Sequence, residues 1–250
     1  MQTTLLDLES KLYGTHVFRM SEIENAGEVV RQHQKLGDKY NTLLIYSILD
    51  ANKTGIIQQI EKLGYGFCEF RIHSYLEIIQ KPSIPDCYPF QLQLVGDDKQ
   101  LEEVKKILKK GQPDDRFFND PLLDKEFARQ RELLNIGKSF HSWPKEFLLG
   151  LFNTQSGKLV AFRSGGFKNE KEVSFYLYGV IPNMDKDHSS RMLDHLCIDY
   201  LYQMGVRIIH SVSTGFNTPE LNRLILHHGF RIESAEVVLR WKKDHEKYEA

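Results

Sequence analysis

The sequence predicts an α/β (α+β) fold in which helices flank a mixed central sheet, with a smaller α/β domain at the N-terminus. Helix-period and strand-period patterns alternate along the chain. Three prolines lie within residues 82–89, which are the best candidate for a linker. Of the 250 residues, 41% are hydrophobic and 27% are charged, an ordinary balance for a globular protein with a sizeable core. We therefore expect an N-terminal α/β domain at residues 1–80, a linker at 81–95 and a larger domain at 96–250.

Two helices and two strands are predicted in the N-terminal part. Ser21 and Glu24 have the spacing of a capping box, so the first of these helices is expected to begin at Ser21. Residues 41–49 are a continuous apolar run of strand length, whereas Gly64 is a typical helix stop. In chain order the predicted elements are helix 21–36, strand 41–49, helix 54–64 and strand 67–78.

Four helices and five strands are predicted after the proline-rich stretch. Asp97 is the expected N-cap of the first of these helices. The predicted helices are 97–111, 125–140, 190–205 and 217–230, and the predicted strands are 146–153, 158–167, 172–181, 206–214 and 231–241. Residues 56–70 and 221–234 share a plan of short helix, glycine followed by an aromatic residue, and alternating strand. This similarity indicates either two related halves or the convergence of helix–turn–strand units.

Residues 180–196 have the pattern of a phosphate-binding turn: an apolar strand runs into a proline, a polar loop follows, and a helix begins. Backbone N–H groups and the positive end of a helix bind phosphate at such turns. Glycine usually lets the backbone approach the phosphates closely, yet this stretch contains none. Lys186 and Arg191 add positive charge, whereas Asp185 and Asp187 oppose it. The residues allow either an anion site or a capped loop–helix junction without a ligand.

From residue 146 onward the predicted order is strand, strand, strand, loop, helix, strand, helix, strand. This order resembles the GNAT acyltransferase superfamily. The stretch GVIPNMDKDHSSRML occupies the position of the family motif V-x-P-x-x-[QR]-x-x-G-x-[GA], and NTPELNRLILHHGF occupies that of N-x-x-A-x-x-L-Y-x-x-x-GF. Asp185 stands at the [QR] position, His188 and Ser190 stand at the glycine positions, and Ile225 stands at the tyrosine position.

The GNAT resemblance implies a GNAT acyltransferase domain at residues 96–250 that uses acetyl-CoA or another acyl-CoA as co-substrate, with no metal. Acyl-CoA would lie between the third strand and the strand that follows it, with its pyrophosphate on the next helix. The implied cofactor-binding residues are Val180, Lys186, Asp187, His188, Ser189, Ser190, Arg191 and Asn217. His188 and Ser190 would donate hydrogen bonds where the family has glycine. For Asn217 the alternative is helix capping alone.

A narrower resemblance covers almost the whole chain. LDLESKLYGTHVFRM is similar to the L-x-W-[DE]-S-x-[FY]-F-G-x-x-x-x-R opening of the TDP-fucosamine acetyltransferases, and DDRFFNDPLLDKEFARQ is similar to their S-R-F-x-x-D-P-hydrophobic segment. Those enzymes acetylate the 4-amino group of a TDP-linked deoxysugar with acetyl-CoA. The resemblance implies a small-molecule amine acceptor, a nucleotide-linked amino sugar, and a homodimer. Arg116 would bind the phosphates, since arginine grips phosphate bidentately; the alternative is a salt bridge with Asp114 or Asp120.

Acyl transfer from a thioester to an amine requires removal of a proton from the amine and polarisation of the thioester carbonyl. Tyr178 is a candidate catalytic residue because it lies on the strand that would face the acyl group; core packing is the alternative. His227 is a second candidate, in place of the missing tyrosine, with His188 as a further option. An ordinary surface histidine is the alternative for both. No HExxH pattern supports a metal site.

The composition narrows the range of partners. The formal net charge of -1 gives no indication of a nucleic-acid or membrane surface, and no apolar run approaches the roughly 18 residues of a membrane span. Scattered cysteines and the absence of a signal-peptide pattern favour a cytoplasmic location. We expect an N-acyltransferase of amino sugars. A catalytically inactive GNAT-fold binding protein and an acyltransferase with a different acyl donor remain open.

Overall fold

The computed structural model describes residues 1–83, 89–111, 116–182 and 185–243. Ten strands and eight α-helices lie in this described part, and a short π-helical turn at Arg223–His227 continues α8. In chain order the elements are β1 Gln2–Leu5, α1 Asp7–Tyr13, β2 His16–Ser21, α2 Ala26–Lys39, β3 Leu43–Asp50, α3 Thr54–Glu61, β4 Gly66–Glu77, β5 Phe90–Leu94, α4 Asp98–Lys110, α5 Arg116–Asn119, α6 Lys125–His141, β6 Glu146–Asn153, β7 Leu159–Asn169, β8 Glu172–Val180, α7 Lys186–Gln203, β9 Ile208–Thr214, α8 Thr218–Asn222 and β10 Arg231–Lys243.

The ten strands form one mixed sheet in the order β1-β2-β3-β10-β4-β9-β8-β7-β6-β5. This order is nearly symmetrical about the β10–β4 pair, because β1, β2 and β3 correspond to β7, β8 and β9. Each side has one parallel pair, β2 with β3 and β8 with β9. The last strand of each half pairs with the other half, β10 with β3 and β4 with β9. The two segments that share a sequence plan, 56–70 and 221–234, therefore occupy equivalent positions.

The sheet crosses the predicted domain boundary. Strand β10 lies between β3 and β4, so strands from both predicted domains are hydrogen-bonded to each other. Within the predicted linker, residues 84–88 lie outside the described residues, and Phe90–Leu94 form the edge strand β5. The predicted mixed sheet with flanking helices is confirmed, and it continues from one predicted domain into the other.

Helices cover both faces of the sheet but leave a strip of the central strands partly open. On one face, α2 and α3 pack on the N-terminal half, and α7 and α8 pack on the C-terminal half. On the other face, α1 and α5 pack near β2 and β3, and α4 and α6 pack on β6 to β8. Between these two groups lie Arg71, His73, Val212 and Glu236, which we call the central strip. Their side chains remain partly exposed, since no apolar cluster within the described residues covers them.

The N-cap predicted from the sequence is confirmed for α4 but not for α2. Asp97 caps α4 as expected, and its carboxylate accepts the N–H of Gln100 at 2.8 Å. The expected helix start at Ser21 is wrong, because Asn25 caps α2. Ser21 is instead the last residue of β2 and pairs with Gln2 of β1. Because the pairing of β2 with β1 extends through Ser21, this residue stays in the strand and α2 begins only after it.

Candidate active site

Strands β8 and β9 separate from each other and open a cleft in the sheet. They pair only where Glu172–Ser174 of β8 meet Ile208–His210 of β9, although the strands continue to Val180 and Thr214. Beyond the last pair, β8 stays bonded to β7 and β9 stays bonded to β4. The facing edges of β8 and β9 consequently have no strand partner there, which leaves backbone groups available to a ligand.

Two backbone N–H groups of β8 point into this cleft. Ile181 donates its N–H to Val160 O at 2.9 Å, toward β7, and Leu177 donates to Ser164 Oγ at 3.1 Å, also toward β7. Because successive N–H groups of a strand alternate between its two edges, those of Tyr178 and Val180 face the opposite edge. Amides aimed into a partly closed cleft can stabilise negative charge on a carbonyl oxygen.

A cavity of about 480 Å³ continues from the cleft across the sheet. One end is lined by the residues Tyr178, Gly179, Val180, Lys186 and Asn217. The opposite end contains several charged side chains, namely Glu69, Arg71, Arg116, Arg131 and Glu132. Ser174, Tyr176 and Val212 lie between the two ends. The cavity therefore joins the strand cleft to an arginine-rich end, an arrangement that can bring two substrates together.

Comparison with known proteins gave no match to a family model and none to a curated protein. Solved structures do match. A GCN5-related N-acetyltransferase from Sphaerobacter thermophilus aligns with 96% of this chain and 76% of its own, at 14% identity and a TM-score of 0.65. One from Kribbella flavida covers 90% and 80% of the two chains, at 10% identity and a TM-score of 0.58. A tandem GNAT protein from the clavulanic acid biosynthesis pathway covers 91% and 75%, at 14% identity and 0.58.

The chain has the GNAT fold. The divergence of β8 and β9 and the helix that follows β8 are where the sequence resemblance implied an acyl-CoA site. None of the described helices is long and apolar enough to cross a membrane. Among the described residues, no group of three or more histidine, cysteine, aspartate or glutamate side chains is placed to hold a metal ion.

The N-terminus of α7 already carries an acidic cap. Asp185 accepts the N–H of His188 at 3.0 Å, so a carboxylate occupies the position where an anion would meet the helix. Lys186 is exposed and lines the cavity, whereas Arg191 pairs with Asp187 at 3.1 Å. Asn183 and Met184 of the preceding loop lie outside the described residues.

Ser189 and Ser190 of α7 do not face the cavity. Ser189 and Ser190 are buried, with 0% and 1% of their surface exposed, and their hydroxyls face the interior of the protein. The side chain of His188 is exposed instead. The groups that would fit an acyl-CoA are therefore Lys186 and the unpaired backbone edge of β8, rather than the acid-capped helix N-terminus or the serine hydroxyls.

Changing the two charged residues at this helix start is expected to shift acyl-CoA affinity in opposite directions. Asp185→Asn keeps an oxygen that caps the helix but removes a negative charge, so acetyl-CoA should bind about 2–5-fold more tightly. Lys186→Ala removes a positive charge from the cavity wall and should weaken binding by a similar factor. Titration calorimetry at two salt concentrations checks both, because the two effects should shrink as salt rises. Equal affinities in all three proteins would show that the pyrophosphate does not bind here.

Asn217 is the N-cap of α8 and also lines the cavity. Its Oδ1 accepts the N–H of Glu220 at 3.3 Å, and its Nδ2 donates to Glu220 Oε2 at 2.9 Å. Asn217 therefore caps α8, one of the two roles that the sequence allowed for it. A contact of Asn217 with the pantetheine arm remains a prediction.

The two candidate catalytic residues lie in different surroundings. Tyr178 lines the cavity, and the guanidinium carbons of Arg163 and Arg223 lie 4.8 Å and 4.7 Å from its ring centre. His227 is exposed at the end of the π-helical turn and is not among the residues that line the cavity. His188, the further option, is exposed on the first turn of α7. The structure thus brings Tyr178, but neither histidine, to the strand cleft.

Beneath Tyr178 lies a buried ion-pair cluster that sequence reasoning missed. Asp194 is fully buried and hydrogen-bonds Arg163, while its Oδ2 accepts from Arg223 Nε at 2.8 Å. Glu220 lies 3.6 Å from Arg163, and burial raises its pKa. The one signal in the sequence is that Asp194 lies on the inward side of a predicted apolar helix.

At the arginine-rich end, Arg116 pairs with Glu69, an acid that the sequence did not indicate. Its NH1 lies 3.3 Å from Glu69, and its guanidinium stacks on Phe117 at 4.5 Å. Asp120 instead pairs with Arg240, so the alternative salt bridge between Arg116 and Asp120 is wrong. Asp114 lies outside the described residues. Arg116 lines the cavity, where it can also meet a substrate.

Proposed function

We propose that this protein is an acyl-CoA-dependent N-acyltransferase that transfers an acetyl or other acyl group to the amine of a nucleotide-linked amino sugar. The observation that carries the proposal is the cleft between β8 and β9, which joins a cavity with charged residues at its far end. The GNAT fold supports acyl transfer, and the resemblance of the segment around Arg116 supports the amino-sugar acceptor.

The donor end of the cavity, at the cleft between β8 and β9, would bind the acyl-CoA and polarise its thioester carbonyl. The thioester brings an activated acyl group, and the backbone N–H groups of Tyr178 and Val180 would stabilise the charge that develops on its carbonyl oxygen. Lys186 would face the phosphates of the donor. Tyr178, which lines the cavity, is the candidate proton donor to the leaving sulfur. Positioning two substrates in one cavity supplies much of the rate in such direct transfers.

The acceptor end offers three guanidinium groups to a phosphorylated acceptor. Each is already paired with a carboxylate, Glu236 for Arg71, Glu69 for Arg116 and Glu9 for Arg131. Arg71, Arg116 and Arg131 all line it, and Arg116 and Arg131 stack on the same ring, that of Phe117. Guanidinium groups bind phosphate oxygens in a bidentate manner. A nucleotide-linked sugar would place its diphosphate among these arginines and its amine toward the cleft.

The test is release of the CoA thiol from acetyl-CoA in the presence of a panel of amines. The panel comprises nucleotide-linked amino sugars, the free amino sugars and simple alkyl amines. We expect the nucleotide-linked members to react with the highest kcat/KM. Thiol release with longer acyl-CoAs but not acetyl-CoA would indicate a different donor. Binding of acetyl-CoA without release for any amine would favour an inactive binding protein.

Arg116→Lys is expected to raise KM for a nucleotide-linked acceptor about tenfold, with kcat little changed. Lysine keeps the charge opposite Glu69 but lacks the planar fork that binds a phosphate through two N–H groups. Such a change in KM alone is the sign of lost substrate binding. Arg231→Lys, at an exposed position outside the cavity, is the matched control. An unchanged KM in Arg116→Lys would show that the phosphates bind elsewhere.

A further inference from the structure

A histidine–carboxylate pair lies on the central strip, beside the cavity. His73 Nε2 is 2.8 Å from Glu236 Oε2, and Arg71 NH1 is 3.0 Å from the same oxygen. Burial alone would raise the pKa of Glu236, but the hydrogen bond from His73 and the charge of Arg71 lower it, so Glu236 stays ionised. An ionised carboxylate fixes the ring orientation of its histidine partner and favours a base at the other ring nitrogen.

The strand register places this pair next to two residues that line the cavity, Arg71 and Val212, although His73 and Glu236 are not themselves lining residues. His73 lies two residues beyond Arg71 on β4, and alternate residues of a strand share a face. Directly opposite His73 on β9 is Val212, which lines the cavity where β8 and β9 separate. An amine bound between the arginine-rich end and the cleft would lie close to these residues.

Two of the carboxylates that line the cavity already contact other groups. Glu69 pairs with Arg116, while Glu220 contacts Asn217 through one oxygen and Arg163 through the other. A proton taken up by either carboxylate would weaken these contacts. The imidazole of His73 has one ring nitrogen bonded to Glu236, and its second ring nitrogen can accept a proton.

We propose that His73, oriented by Glu236, is the general base that takes the proton from the attacking amine, directly or through one water molecule. The proposal rests on the proposed N-acyltransferase function. The nitrogen of the amine forms a bond to the acyl carbon as the carbon–sulfur bond breaks. One N–H proton passes to His73, and the leaving sulfur takes a proton from Tyr178 or solvent. The general base thus comes from β4, in the N-terminal half of the chain.

The experiment compares His73→Gln with a matched control. Glutamine can still hydrogen-bond Glu236 but cannot act as the base. The control is His210→Gln, because His210 also faces a carboxylate, Glu172 at 3.4 Å, but lies on β9 at the closed end of the cleft. Thiol release from acetyl-CoA is measured with the best amine of the panel, or with water as the nucleophile if no amine reacts, since water also needs a proton acceptor. Calorimetry with acetyl-CoA and thermal unfolding accompany each variant.

We expect His73→Gln to lower the rate about a hundredfold or more while acetyl-CoA binding and unfolding temperature stay unchanged, and His210→Gln to remain within about twofold of the wild type. In His73→Ala, added imidazole should restore part of the rate. A His73→Gln rate within about twofold of the wild type would overturn the proposal, as would a failure of imidazole to restore activity in a variant that still binds the donor. If the wild type neither binds acetyl-CoA nor releases thiol, the N-acyltransferase function itself fails.

Discussion

Replacing Asp194 with alanine is expected to lower the free energy of unfolding by about 3–5 kcal/mol. Asp194 is fully buried and bonds both Arg163 and Arg223. His228 lies 3.6 Å away, but burial lowers its pKa to about 4, so it is uncharged near neutral pH. Removal of the one carboxylate that both arginines share would leave two guanidinium groups in an apolar interior with too few acceptors. Urea unfolding of both proteins measures the change.

The control for this prediction is Asp187→Ala, on the same helix. Asp187 is exposed and pairs with Arg191 across one helical turn, a kind of contact worth about 0.3–0.5 kcal/mol. We expect the two substitutions to differ by several kcal/mol. If Asp194→Ala lowers the free energy of unfolding by less than about 1 kcal/mol, water or rearranged side chains must supply hydrogen-bond acceptors to the two arginines. The ion-pair cluster would then not be what holds α7 and α8 beneath Tyr178.

Val212→Trp is expected to lower the rate of acyl transfer by at least about a hundredfold, since displacement of a reacting group by about 1 Å has an effect of this size. Val212 lies between the two ends of the cavity, 43% exposed, opposite His73. An indole ring there would fill the space in which the two substrates meet. Because the side chain points into open space, we expect little change in stability. Thiol release and thermal unfolding provide the two measurements.

Ile232→Trp is the matched control for this substitution. Ile232 is 56% exposed on β10 and does not line the cavity, so a tryptophan there adds the same bulk away from the cleft. We expect its rate to match that of the wild type. Equal rates in Val212→Trp and Ile232→Trp would place the reaction somewhere other than this cavity.

Much of the fold could be predicted because the patterns that carry it are local. Asp97 caps its helix, and strands in which most alternate positions are apolar, such as β4, appear where the pattern places them. The position of β10 could not be predicted, because a strand's pattern shows which face is buried but not which neighbour it pairs with. The start of α2 was misplaced for the same reason: the pairing of Ser21 with β1 extends the strand through the apparent capping box.

The candidate site was predictable in part. Lys186 at the start of α7 and Arg116 both line the cavity, because the first follows a strand end and the second belongs to a recognisable segment. The partner of Arg116 was not predictable, since Glu69 is 47 residues away in the chain. The cluster of Arg163, Asp194 and Arg223 was missed because each is a single charged residue in its own stretch of sequence. The partners of each come from other helices and strands.

The central claim is that the cleft between β8 and β9 binds an acyl-CoA, and isothermal titration of the wild-type protein with acetyl-CoA tests it most directly. We expect acetyl-CoA to bind with a Kd near micromolar, a binding free energy of about -8 kcal/mol, and with one acetyl-CoA molecule per chain. One site is expected because β2 and β3, the equivalent parallel pair, remain paired from His16–Met20 to Leu43–Ser47 and form no cleft. No heat of binding up to millimolar acetyl-CoA, or two equal sites per chain, would contradict the account.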